Sequence, residues 1–126
     1  MKIVIGVLAI LLLSACVNLP GPSQEKEADY GTFPDDYQDI ARTYLMAELR
    51  DPPSIEIKNI SEPMKRWIGD KFTGIGYGYL VCVEVNSKNV FGNLTGFRND
   101  ALLIRDDTVI DYIKDGELLS GMKLCD

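Results

Sequence analysis

The chain has 126 residues and a mass of 14.0 kDa, room for one domain. Its composition, 46% apolar and 25% charged, is that of an ordinary globular protein and excludes a collagen-like or wholly disordered chain. A formal net charge of −6 excludes the basic footprint of a nucleic-acid binder and disfavours electrostatic docking on anionic lipid; the lack of any histidine removes the commonest general base and metal ligand.

The chain opens with Met1-Lys2, an apolar run from Ile3 to Leu13 broken only by Gly6, and then Ser14-Ala15-Cys16. A positive start, an apolar stretch and small residues before a cut are the marks of an export signal. The run is too short for a permanent span, which takes about 20 residues. Leu13-Ser14-Ala15-Cys16 resembles the bacterial lipobox at all four positions. That resemblance implies cleavage before Cys16, a diacylglycerol on its sulfur (the only cofactor-like group expected) and a further acyl chain, such as palmitate, on its new amine. Several chains on one residue anchor stably, because each buried CH₂ contributes about 0.8 kcal/mol. Val17, rather than an aspartate, follows the cysteine. By resemblance to lipoprotein sorting in bacteria with two membranes, this implies an outer-membrane anchor with the domain in the periplasm. Removing residues 1–15 takes away only Lys2 among the charges, so the mature protein is one unit more acidic.

Residues 16–33 read as the lipidated cysteine and a flexible tether, with Pro20, Gly21, Pro22 and the charged Glu25-Lys26-Glu27. A single α+β domain is expected over 34–126. Pro34, Asp35 and Asp36 suit a helix start. Tyr37, Ile40, Ala41, Tyr44, Leu45 and Leu49 follow one apolar stripe, predicting a helix from Asp35 to Arg50 with both tyrosines in the core. Asp51-Pro52-Pro53 ends it. The pattern then changes to period two, and Ser54–Ile60 reads as a half-buried strand. Ser61–Lys71, with Pro63 and the single Trp67, reads as a loop. Gly74–Asn86 is the strongest strand, with Ile75, Tyr77, Tyr79, Val81, Val83 and Val85 on one face. Gly74, Gly76 and Gly78 leave the other face bare, for Trp67 or Phe72 to cover. Ala101–Arg105 and Thr108–Ile113 read as a hairpin turning at Asp106-Asp107, with a further turn at Asp115-Gly116. One helix followed by about four antiparallel strands predicts a helix packed on a curved sheet, with cystatin-like topology as the leading analogy.

Three cysteines are odd in an exported protein. Lipidation of Cys16 leaves Cys82 and Cys125 in an oxidising compartment, and these two are expected to form a disulfide. Their spacing is far from that of a redox Cys-x-x-Cys pair.

Candidate chemistry is thin. The glycines of Gly74-Ile75-Gly76-Tyr77-Gly78 alternate within a strand and precede no helix, unlike a phosphate-cradling loop. The spacing of Asp106, Asp107, Asp111 and Asp115 matches no calcium loop, and no metal site is expected. Serine and cysteine triads lack their histidine. The chain therefore reads as a non-enzyme. Its most distinctive segment is Asn86-Ser87-Lys88-Asn89-Val90-Phe91-Gly92-Asn93-Leu94-Thr95-Gly96-Phe97. Asn86, Lys88, Asn89, Phe91, Asn93 and Phe97 are the candidate contacts of a protein-binding loop, with amides as donors and acceptors and aromatics as rigid contact area. The plainer expectation is a hairpin connection with Phe91 or Phe97 tucked into the core. From Val81 to Phe97 the chain resembles small uncharacterised exported bacterial proteins and lipoproteins, whose pattern is V-C-x-x-V-N-x-K-N-x-[FY]-G-G-x-x-G-F. Asn93 stands where that pattern has a second glycine, a change that suits a left-handed position. The resemblance brings no activity with it. The expected role is binding or assembly in the cell envelope, with the membrane and an envelope protein as partners and no nucleic acid. Inhibition of a foreign secreted enzyme, of the lysozyme-inhibitor type, and small-molecule binding are the alternatives.

Overall fold

The computed structural model describes residues 19–70 and 72–126. Cys16 and the expected signal peptide lie outside them. The described residues form a mixed α/β fold with two α-helices, α1 (Pro22–Glu27) and α2 (Tyr37–Glu48), and one open antiparallel sheet of five strands. The strands are β1 (Glu56–Ile60), β2 (Met64–Asp70), β3 (Gly74–Asn86), β4 (Arg98–Arg105) and β5 (Thr108–Ile113).

The long β3 organises the sheet. β4 pairs along one edge and β5 follows it. The other edge is shared end to end. β1 pairs with Val83–Asn86, and β2 pairs with Gly74–Leu80. Ser61-Glu62-Pro63 divides them. Pro63 has no N–H to give to a ladder, and Ser61 bridges the gap. Its N–H donates to the Cys82 carbonyl at 2.9 Å, and its hydroxyl accepts from the Cys82 N–H at 2.8 Å. The stretch expected to be a loop is thus mostly strand, and five strands replace four. The tight β2–β3 turn is held by Asp70, whose Oδ1 accepts from the N–H groups of Phe72 and Thr73, both at 2.7 Å.

The sheet buries both faces, which follows from the alternation along β3. On one face Val81, Val83 and Val85 pack with Ala41 and Leu45 of α2 and with Leu102 and Ile104 of β4; Tyr37, Ile40 and Tyr44 pack around them. On the other, Leu80, Ala101 and Leu103 lie under Ile68, Leu124 and Cys125. α2 is two residues shorter at each end than its stripe suggested. Leu49 is already extended, and Asp51 takes a left-handed conformation ahead of Pro52.

Two expectations are corrected. Residues 22–33 are not a free tether. Tyr30 is buried and meets Tyr77 and Tyr79 at ring centroid distances of 5.5 and 6.4 Å. Phe33 meets Tyr79 at 5.3 Å, Trp67 Nε1 donates to Glu25, and Arg105 donates to the carbonyl of Asp29 at 2.5 Å. One tyrosine with an apolar body and a polar tip is enough to hold a polar segment on the sheet. The bare glycine face is likewise covered neither by Trp67, which pairs with Tyr77 and so points the other way, nor by the exposed Phe72. Leu103 and Ile110 cover it. A methyl group on Gly78 would lie 2.6 Å from the Ile104 carbonyl oxygen and 3.1 Å from Leu103. Gly78→Ala is therefore expected to cost roughly 1–3 kcal/mol in urea unfolding, since backbone must move to admit it; an unchanged midpoint would contradict this packing.

Candidate functional site

The segment between β3 and β4 projects from the end of the sheet. Its backbone is tied at every level. At the base, Thr95 N–H donates to the Ser87 carbonyl at 2.9 Å, and Gly96 N–H to the Asn86 side-chain oxygen at 3.1 Å. Higher up, Lys88 and Leu94 form a β-bridge, and Asn89 N–H donates to the Asn93 carbonyl at 2.8 Å. At the tip the Asn89 carboxamide oxygen accepts from the N–H groups of Phe91 at 2.9 Å and Asn93 at 3.1 Å. Lys88 Nζ lies 2.5 Å from Asp51 Oδ2, tying the loop to the end of α2. The hydrogen bond and charge of Lys88 hold the Asp51 carboxyl below its usual range.

Asn86 and Ser87 at the base are buried, and the apolar side chains above them face solvent. Phe91 is 85% exposed, Val90 68%, Leu94 50% and Phe97 45%. Neither phenylalanine is tucked into the core. Lys58 Nζ stands 5.5 Å from the centre of the Phe97 ring. The left-handed position is Gly92, with φ 80°, rather than Asn93. Of the six candidate contacts, Phe91 and Phe97 are presented outward. The Asn86 and Asn89 side-chain oxygens are spent on the loop's own hydrogen bonds and Lys88 on its ion pair, while Asn93 joins the loop through its backbone and is exposed.

Beneath the loop lies a cluster that sequence reasoning missed. Arg98, the first residue of β4, donates from Nη1 to Thr95 Oγ1 at 2.8 Å and from Nη2 to Ser87 Oγ at 2.9 Å. Its Nε lies 2.9 Å from Asp100 Oδ1, and the Asp100 side chain is fully buried. Asp100 also accepts from Tyr112 Oη at 2.5 Å and from the Asp115 N–H at 3.0 Å. Among the described residues no buried side-chain polar atom lacks a partner. The signal for this cluster was an Arg-x-Asp pair at the head of an apolar strand, two charges spaced to share one face.

Burial, with the hydrogen bond to Asp100 second, pushes the Tyr112 phenol well above its ordinary value of 10.0. The unfolded chain ionises this group near pH 10, while the folded chain keeps it protonated. Its contribution to stability is therefore complete below pH 10 and declines as the pH rises above it. Tyr112→Phe should flatten that part of the decline in a pH series of thermal melts; an unchanged slope would contradict the assignment.

The other candidates resolve simply. Cys82 and Cys125 are bonded, with Cα atoms 5.8 Å apart, and join β3 to the C-terminal tail. Asp106 and Asp107 take φ of 49° and 61° in the β4–β5 turn, and Asp106 Oδ1 accepts from the Thr32 N–H at 3.1 Å. Among the described residues no group of metal-ligating side chains gathers. The core between α2 and the sheet is packed with residues that have no exposed surface, and an open groove of about 500 Å³ lies at its edge between Ile40, Tyr44 and Ala47 of α2 and Thr108 and Val109 of β5. A groove of about 770 Å³ opens at the surface between residues 20–29 and Ile75, Tyr77, Arg105 and Ile110.

Compared with protein-family models, with curated proteins and with solved structures, the chain matches none.

Proposed function

We propose that this chain is a lipoprotein of the cell envelope, anchored in the outer membrane through Cys16, and that it binds a protein partner through the 86–97 loop. The observation that carries this is a loop whose backbone is tied from base to tip by hydrogen bonds of Asn89, Phe91, Gly92, Asn93, Thr95 and Gly96, while Val90, Phe91, Leu94 and Phe97 face solvent. A tied backbone has little conformational entropy left to lose on docking. Aromatic side chains on such a platform are the usual energetic centre of an interface. Exposed apolar groups contribute nothing to the domain's own core, which supports a role outside it. From Val85 to Asn99 the chain has no carboxylate, although the protein is acidic overall. The partner surface that fits is an apolar pocket with a neutral or acidic rim.

The same geometry suits insertion into the cleft of a foreign secreted enzyme, so inhibition remains the second reading. The packed core between α2 and the sheet supports a small-molecule role less well. In architecture, one helix crossing the face of a sheet whose later strands follow as a meander supports the cystatin-like analogy.

The separating experiment is Phe91→Ala. With Phe91 85% exposed, the variant should keep its stability to within about 0.5 kcal/mol. Co-purification of the partner from detergent-solubilised envelopes should fall at least tenfold. Undiminished recovery would remove the loop from the interface.

A further inference from the structure

Two groups of exposed apolar side chains lie at opposite ends of β3, while the exposed Phe33, Met46 and Met64 stand apart from both. One group is the loop. The other is at the β2–β3 turn, where Phe72 is 87% exposed and Leu119 is fully exposed. Leu119 lines a groove with Gly69, Asp70 and Thr73, beside that turn. Met122, half exposed, lines a neighbouring groove with Arg66 and Trp67. Both come from the C-terminal tail, which the disulfide fixes to β3.

The N-terminal segment leads to this same end. Pro20 lines the same open groove as Ile75 and Gly76, at the start of β3, and Leu19 before it is exposed. From Pro22 to Phe33 the chain is held on the body. Between Cys16 and Leu19 a fully extended chain spans at most about 11 Å. On the reading that Cys16 carries the lipid, that leaves no long tether between the acyl chains and the domain.

We infer that Phe72, just ahead of β3, and the tail residue Leu119 form a bilayer-contacting surface, seated on the lipid headgroup boundary beside the acylated Cys16. The rim carries both signs, Lys65, Arg66 and Lys114 against Glu25, Asp70, Asp111 and Glu117, so contact comes from the apolar side chains rather than from charge. A single exposed leucine and phenylalanine would bind lipid weakly alone. The anchor supplies a high local concentration, and the two contacts act together with it. The consequence is orientation. From Ile75 to Asn86 the strand rises about 36 Å, so with β3 upright on the membrane the 86–97 loop is held about that far from it. Its partner is met in the aqueous compartment rather than within the bilayer.

The inference rests on the lipid-anchor reading, and the test separates the two. The purified acylated protein is placed in vesicles of phosphatidylethanolamine with a minor share of phosphatidylglycerol. It is labelled by hydroxyl radicals beside a soluble form that lacks the anchor. Intact mass reports acylation of Cys16. Labelling of Leu119, Phe72 and Met122 is expected to fall several-fold on vesicles, with Phe91 and Val90 unchanged. Acylated protein whose Leu119 and Phe72 label as in the soluble form overturns this inference and leaves the anchor standing. Protection at Phe91 instead makes the loop the membrane-facing end and also overturns it. A mature chain without acyl groups defeats the anchor reading and this inference with it.

Discussion

Asp100→Ala is expected to be among the most damaging single substitutions in the domain. It removes one carboxylate and strands three donors: the Arg98 guanidinium, the Tyr112 hydroxyl and the Asp115 N–H. The Arg98 side chain is only 9% exposed, so water cannot replace the lost partner. Breaking a buried pair from one side typically costs 3–5 kcal/mol, and about 4 kcal/mol is expected here. A small domain has roughly 5–15 kcal/mol in all. The variant should therefore show a greatly lowered urea midpoint. The damage should also reach the loop, because Arg98 holds Ser87 and Thr95. Amide exchange across 87–96 should quicken more than across α2. Replacing both partners, Arg98→Met with Asp100→Leu, should cost less than Asp100→Ala alone, since no charge is then left unpaired. A loss under about 1 kcal/mol for Asp100→Ala would mean that the cluster is wet and contributes little.

The second large effect belongs to the disulfide. Cys82→Ala with Cys125→Ala opens a loop whose ends are 43 residues apart in sequence, for an expected loss of about 4 kcal/mol. In a domain of this size that lowers the melting temperature by about 20 °C. The bond also pins the tail. Leu124 and Cys125 cover Leu80, Ala101 and Leu103 on the face away from α2. Reduction of the unmodified protein should reproduce the shift and speed exchange in residues 117–126. A melting temperature indifferent to reductant would show that packing of Leu124 holds the tail without the bond.

Several elements of this fold could be read directly, and the failures have identifiable causes. Helix α2 and strand β3 have long, unbroken periodicities, and each emerged within a few residues of its expected limits. The hairpin at Asp106-Asp107 followed from local turn chemistry. The disulfide needed only a count of cysteines and a compartment. What failed was set by tertiary contact. β2 is polar along Met64-Lys65-Arg66 and has strand form because β3 is long enough to pair with two strands on one edge. Residues 22–33 have the composition of a linker, yet Tyr30 buried against Tyr77 keeps them on the body. The loop was found from its amides and glycines, but the role of each amide was not. Asn89 organises the tip rather than facing a partner. Arg98 and Asp100 went unnoticed because the expected strand began only at Ala101, and because their partners, 11 to 15 positions away, converge only in the folded sheet.

The central claim is that the loop is where this protein meets its partner. A photo-crosslinking residue placed at Phe91, in the full chain expressed in its native cells, tests it most directly. Met46 on α2, 39% exposed and part of neither apolar end, is the control position. The account predicts one dominant adduct from position 91, absent from position 46 and suppressed when Val90→Ala and Leu94→Ala are added. Equal adduct patterns from the two positions, or none at 91, would contradict it.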